Sequence, residues 1–325
     1  MAPKEGVCLL NHGYLFPYSY LTSDILSYLP KYYNQGSYLP LSTNEKEETM
    51  KEKQNLHTHS LFCDGKNSLE EMVMEAINQG FTSIGFSSHA YTAFPFDECG
   101  IKSKEKEKEY LDTLSFLKEK YRGIIKIYSG LELESRDAFS LSPLAPSTLD
   151  YSIGSVHYFW KGDKFWSIDY TAECFLKAKE AFGSFRSLID SYWEEVIRFM
   201  CVSDYSILGH IDLVTKFIER EKWDFQSYSW YKEGAEAVIT EAKKRGKIIE
   251  VNTGAMSRGY RTTPYPSSFI LSMIKERKVP ITITTDCHDK AYLSYGMEEA
   301  KTMLREKGFK EYMLLGDDGF YPVSL

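Results

Sequence analysis

Six of the seven histidines in this chain recur with Asp or Glu at the ends of β-prone runs, a pattern suited to ion binding and to hydrolysis by activated water. His57 and His59 sit at i and i+2, so extended backbone turns both rings to one side, where they can share an ion. Asp64 follows five residues later. His89 closes the run from Ser83, Glu132 the run from Ile124, His157 the run from Tyr151, and His210 the run from Ser206. Asp286 and His288 close the run from Ile281. Recurrence at one position of successive units is not what scattered core or surface histidines produce. His12, far upstream, is left without a role.

Imidazole and carboxylate without thiolate suit Zn, Mn or Fe, and nine candidate ligands imply two or three divalent ions. Cys63 and Cys287 adjoin ligands but face the other way on extended backbone, so they read as packing residues. A hydroxide bridging two ions, held by Glu132 and its neighbours, is a nucleophile near neutral pH, because bound water's pKa falls to about 7. The leaving group is then protonated by Asp286, His288 or water. Arg258 and Arg261 lie just beyond the run 249–253, where a guanidinium fork suits phosphate, with Lys216 a weaker candidate of the same kind. Tyr91, Phe94, Tyr158 and Trp160 follow ligand positions and could wall a bound substrate. The chain has no DxDxT or DxDxV nucleophile, no Cx5R and no P-loop, which removes the other phosphatase chemistries.

Positioning these groups requires strands, and the β-prone runs supply them: Gln54 to Leu56, Thr82 to Ser88, Ile124 to Ser129, Tyr151 to Val156, Ser206 to Gly209, Lys247 to Asn252, Val279 to Thr285 and Glu311 to Leu315. Helical patterns alternate with them. Ser68 and Glu71 have capping-box spacing ahead of Leu69, Met72, Val73 and Ala76. The helices over 235–245 and 297–307 stop at Gly246 and Gly308. Repeated β-then-α units with no GxGxxG after the first strand predict an α/β barrel, whose chemistry gathers at the C-terminal ends of its strands.

The 325 residues are enough for such a barrel, and 43% hydrophobic with 26% charged residues fits a globular chain. A net charge of −7 and pI near 5.6 weigh against nucleic acid as partner. Six cysteines without a CxxC pair fit a reducing, cytoplasmic setting, and no run of about 18 apolar residues suggests a membrane. Residues 1–53, ending in the charged run Asn44 to Lys53, read as an N-terminal extension ahead of a domain over 54–325.

His57-Thr-His59 with Cys63-Asp-Gly65, then Gly130-Leu-Glu132, Gly154-Ser-Val-His157, Gly209-His-Ile-Asp212 and Asp286-Cys-His288, in this order, resemble the polymerase and histidinol phosphatase (PHP) family. The stretches Gly154 to Tyr158, Tyr192 to Val196, Gly209 to Leu213 and Glu250 to Gly254 are most similar to its monofunctional histidinol-phosphate phosphatases. The resemblance implies a distorted (β/α)7 TIM-like barrel with a trinuclear site. His57, His59, Glu132 and Asp286 would hold one ion, and Glu132 would bridge to a second on His157, with His210 a further candidate. Asp64, His89 and His288 would hold the third. Many members carry histidine where Asp64 stands, which implies an altered ion preference with the site retained. The implied reaction is hydrolysis of L-histidinol phosphate, a small phosphomonoester of histidine biosynthesis. Another phosphoester, such as a phosphotyrosine protein or an oligonucleotide, or a PHP module that binds without catalysis, are the alternatives.

Overall fold

The computed structural model describes residues 52–92, 97–135, 149–161 and 164–325. The proposed extension lies outside them apart from Glu52 and Lys53, and so do His12 and Phe94. In chain order the elements are β1 (Gln54–Asn55), α1 (Leu69–Asn78), β2 (Ser83–Phe86), α2 (Lys104–Lys120), β3 (Lys126–Glu134), β4 (Tyr151–Ser155), β5 (Tyr158–Lys161) and β6 (Lys164–Ser167). There follow α3 (Ala172–Phe182), α4 (Phe185–Val202), β7 (Ile207–Leu208), α5 (Ile218–Glu221), α6 (Ser229–Lys244), β8 (Ile248–Asn252), α7 (Gly254–Ser257) and α8 (Ser268–Glu276). Last come β9 (Ile281–Thr284), α9 (Met297–Glu306), β10 (Glu311–Gly316) and β11 (Gly319–Ser324).

Seven strands pair in parallel in the order β1, β2, β3, β4, β7, β8, β9. Just past β1 and β9, a bridge between Thr58 and Cys287 closes the ring, with His59 N–H donating to Cys287 C=O at 2.8 Å and Cys287 N–H to His57 C=O at 3.0 Å. This is a seven-stranded TIM-like barrel. Its helices form as their sequences dictate: Ser68 and Glu71 complete the expected capping box of α1, and Leu69, Met72, Val73 and Ala76 are its buried stripe. Among the described helices none is long and apolar enough to cross a membrane.

Period-two alternation sorts each strand between two cores. Ile249 and Val251 of β8 face the helical layer, whereas Ile248 joins Leu56, Tyr128, Tyr151, Ile153 and Ile207 in a separate cluster inside the barrel. Leu315 belongs to that inner cluster, with Met313 and Phe320 packed against it. The run Glu311 to Leu315 is therefore not a barrel strand. It pairs antiparallel with β11 across a Gly316-Asp-Asp-Gly319 turn, and the hairpin plugs the barrel's foot. The closed ring leaves it no free edge, and reciprocal bonds between Gln54 and the Leu315 main chain anchor it to β1.

The expected strand stops at Ser129, yet β3 runs on through Gly130 to Glu134. A Cβ at Gly130 would lie 2.6 Å from two ring carbons of Tyr151, whose hydroxyl donates to the Leu56 carbonyl. The glycine is a mid-strand gap that admits this ring. Gly130→Ala is expected to cost about 1–3 kcal/mol by overpacking in chemical denaturation, and Tyr151→Phe about 1 kcal/mol for the lost hydrogen bond. A Gly130→Ala protein as stable as the parent would refute the close-packing account.

Candidate metal centre

The nine ligand candidates meet at the barrel's C-terminal mouth. His57 and His59 follow β1, Asp64 ends a short turn, His89 follows β2, His157 follows β4, His210 follows β7, and Asp286 and His288 follow β9. Glu132 differs from expectation: it lies within β3, on the inward face shared with Tyr128 and Gly130. That alternation sends it to the centre. Its Oε2 lies 3.2 Å from His57 Nε2, 3.6 Å from His59 Nε2 and 3.0 Å from His89 Nδ1. Its Oε1 lies 3.1 Å from His210 Nε2 and 3.7 Å from His157 Nε2. Asp286 Oδ1 stands 3.2 Å from His59 Nε2, and Asp64 Oδ1 3.3 Å from His288 Nε2.

Donor atoms gather in three groups, each within 4.8 Å: His57, His59 and Asp286; His89, Glu132 and His157; and His59, Asp64, His89 and His288. His57 Nε2, His59 Nε2 and Glu132 Oε2 are buried, and none makes a hydrogen bond despite their closeness. Burial of such atoms without partners costs several kcal/mol, and an ion between them removes that cost. The donor set and these orphaned atoms fit divalent cations. Asp286 is held at φ 46°, a left-handed conformation that costs a non-glycine residue about 1–3 kcal/mol. Gly254 makes room for it, since a Cβ there would lie 2.8 Å from Asp286 Cβ.

Beside these groups opens a cavity of about 270 Å³. Arg258 lines it, donating from Nη2 to Asp286 Oδ2 at 2.8 Å and from Nη1 to the Asp286 carbonyl at 3.0 Å. Lys216 also lines it, bonded to Asp169. Arg261 does not. It is buried, and its guanidinium is consumed by Thr215, Thr263, Pro264 and Ser267, because the left-handed turn at Gly259 (φ 70°) reverses the chain between the two arginines. Of the four aromatic candidates Tyr158 lines the cavity, Tyr91 packs against the outer core, and Trp160 stacks edge-on with Phe165 in the β5–β6 hairpin. Cys63 also departs from expectation: its sulfur lies 3.5 Å from His59 Nδ1, since Leu61–Asp64 is a turn in which strand alternation fails. Cys287 is buried and its thiol donates to the Asp289 carbonyl.

Four acidic residues escaped the sequence reading. Glu250 accepts from His57 Nδ1 at 2.5 Å, and Glu134 accepts from His157 Nδ1 at 2.9 Å. Both had a signal, being charged residues on the inward parity of apolar strands. Asp97 and Asp169 line the cavity from irregular segments, where no periodicity marks them.

Without ions, these charges balance one another. Burial would lower His57, but Glu250, Glu132 and Asp286 outweigh it and raise it well above the usual histidine value. Burial is likewise overcome at His157, raised to about 10 by Glu132 and Glu134, and at His288, raised by Asp64. His59 is the exception: burial, with His288 and His89 beside it, lowers it to about 3. Burial would raise Glu132 and Asp286, yet His57 and His89 hold the first, and Arg258 and His57 the second, well below the carboxylate range. His57 and His157 therefore hold protons at pH 7, and ions must displace them. Loading the stripped protein at pH 7 is expected to release protons, and apparent ion affinity to rise with pH toward about 10, where His157 loses its proton. Calorimetry in two buffers of different ionisation enthalpy reads this directly; identical heats in both would contradict it.

The PHP domain family model matches residues 55–254, more than half of the chain. A Bacillus subtilis histidinol-phosphatase is 28% identical over 265 residues, covering 76% of this chain and 97% of that protein. A Schizosaccharomyces pombe protein named "Probable histidinol-phosphatase" is 29% identical, covering 81% and 90%. The crystal structure of histidinol phosphate phosphatase from Lactococcus lactis, complexed with zinc, L-histidinol and phosphate, superposes with a TM-score of 0.63 at 22% identity, covering 83% of this chain and 99% of that one. That likeness extends to the fold. With its seven-stranded barrel, its converging histidines and carboxylates and this match, the chain belongs to the PHP domain family.

Proposed function

We propose that the protein hydrolyses L-histidinol phosphate to L-histidinol and inorganic phosphate, using two or three divalent ions of zinc, manganese or iron. The observation that carries the hydrolytic reading is Glu132, whose two oxygens face opposite histidine groups with His57 Nε2, His59 Nε2 and its own Oε2 buried and unbonded. His57, His59, Glu132 and Asp286 would hold one ion, Glu132, His157 and His210 a second, and Asp64, His89 and His288 a third. Bound there, the ions would lower the pKa of water toward about 7 and offset phosphoryl charge.

The chain's own groups do the rest. Asp286 is anionic at neutral pH because Arg258 and His57 overcome the effect of burial, which suits it to hold a cation, and the leaving alkoxide would take its proton from Asp286, His288 or water. Arg258, on the cavity wall, holds phosphoryl oxygens and Lys216 adds positive charge nearby. Asp97, Asp169 and Tyr158 line the same cavity. Asp169 is kept anionic, with a value of about 2, since Lys216 outweighs its burial. An anionic wall suits the ammonium and imidazole of histidinol phosphate better than a nucleotide or an acidic peptide. The named relatives, matched over nearly their whole lengths, support the same substrate.

Phosphate release from L-histidinol phosphate is expected to exceed that from a phosphotyrosine peptide and a short oligonucleotide by at least about a hundredfold in kcat/KM, roughly 2.7 kcal/mol in transition-state binding, and to vanish on chelation and return on metal addition. Equal rates on the three substrates, or activity surviving metal removal, would overturn the proposal. The two arginines should separate: Arg258→Lys lowers kcat/KM at least about tenfold with little change in thermal stability, whereas Arg261→Lys lowers the melting temperature and leaves kcat/KM within about twofold. Equal catalytic losses would mean that Arg261 also meets the substrate.

A further inference from the structure

Glu250 is fully buried in β8, and its two oxygens receive four hydrogen bonds. Oε1 accepts from His57 Nδ1 at 2.5 Å and from Thr284 Oγ1 at 2.6 Å. Oε2 accepts from the His210 main-chain N–H at 2.7 Å and from Asn252 Nδ2 at 3.0 Å. The carboxylate thus ties β8 to β9 and to the segments that follow β1 and β7. Two of its donors belong to the histidines that face Glu132 from either side: His57 Nε2 lies 3.2 Å from Glu132 Oε2, and His210 Nε2 3.1 Å from Glu132 Oε1. Each histidine is held between two carboxylates.

The consequence is a fixed tautomer. A carboxylate only accepts, so His57 keeps a proton on Nδ1, and when an ion displaces the other proton it is Nε2, facing Glu132 and Asp286, that presents the lone pair. By gripping the His210 main chain, the same carboxylate sets where that ring enters the site. Glu134 acts on one histidine only, accepting from the ring and the main-chain N–H of His157. We propose that Glu250 is a positioning residue for the ion pair bridged by Glu132, fixing the His57 tautomer and the placement of His210 together, while Glu134 positions His157 alone. This rests on the metal-dependent reading above.

The glutamine variants test it. In Glu250→Gln the amide nitrogen must face either His57 Nδ1 or the His210 N–H. The first choice moves the His57 proton to Nε2, and the second puts two donors together. Equilibrium dialysis against limiting Zn, with metal content by mass spectrometry, is expected to show the ions at Glu132 weakened about 10–100-fold and the ion at Asp64, His89 and His288 retained. Histidine 15N spectra should report the altered His57 tautomer. Glu134→Gln is expected to weaken one ion. Thr284→Val, which removes one donor and keeps the carboxylate, should weaken the Glu132 ions severalfold, and it keeps the test decisive if Glu250→Gln fails to fold. Unchanged zinc affinity in a folded Glu250→Gln or Thr284→Val protein overturns the role, even if the melting temperature falls. A parent chain that takes up no zinc overturns the metal reading itself, so the two failures are distinct.

Discussion

Two main-chain hydrogen bonds between the segments after the first and the last barrel strand, His59 to Cys287 and Cys287 to His57, join points about 230 residues apart in the chain. Everything at the mouth depends on that closure. It sets His57 and His59 beside Asp286 and His288, residues some 230 positions apart in the chain, and completes a ring of donors that no single unit could build. The entropic cost of so long a closure grows only slowly with its length. It is offset by the apolar residues that fill the inside and the outside of the ring.

The mouth is an unusually charged place for a protein interior. Glu132, Glu250 and Asp286 are buried together, and carboxylates in such surroundings are tolerated only when paired and fully bonded. The histidines and Arg258 supply the pairing, and a threonine and an asparagine beneath them, Thr284 and Asn252, bond Glu250. Asn55 accepts from the His57 and Thr285 main-chain N–H groups. A polar layer lies between the apolar foot and the open cavity. Strand alternation makes it possible, since Ile248, Glu250 and Asn252 share the inward face of one strand from foot to mouth.

The convergence of the nine candidate side chains was legible because they repeat. Each unit places its imidazole or carboxylate near a strand exit, and the exits show in sequence as the ends of β-branched runs. Glycine misled the reading of Gly130, which by local propensity ends a strand and by tertiary contact continues one to admit Tyr151. The arginines were undecidable by spacing. Three positions separate Arg258 from Arg261, yet a single left-handed residue sends one to the cavity and the other into the wall. Glu311 to Leu315 reads as a strand and is one; that the ring had already closed without it is a property of pairing partners, which no local pattern carries. Asp97 and Asp169 sit outside the barrel strands, so their meeting at one cavity belongs to the fold alone.

The hairpin at the barrel's foot has a consequence for traffic. Among the described residues, Leu315, Met313 and Phe320 fill or back the interior from below, so the cavity opens at the mouth. On the proposed reaction, a phosphoester seated with its phosphate on the histidines would leave its alcohol nearest that opening. The alcohol would then depart first and inorganic phosphate last. Phosphate would be the product that competes with incoming substrate, a brake that tightens as the reaction proceeds.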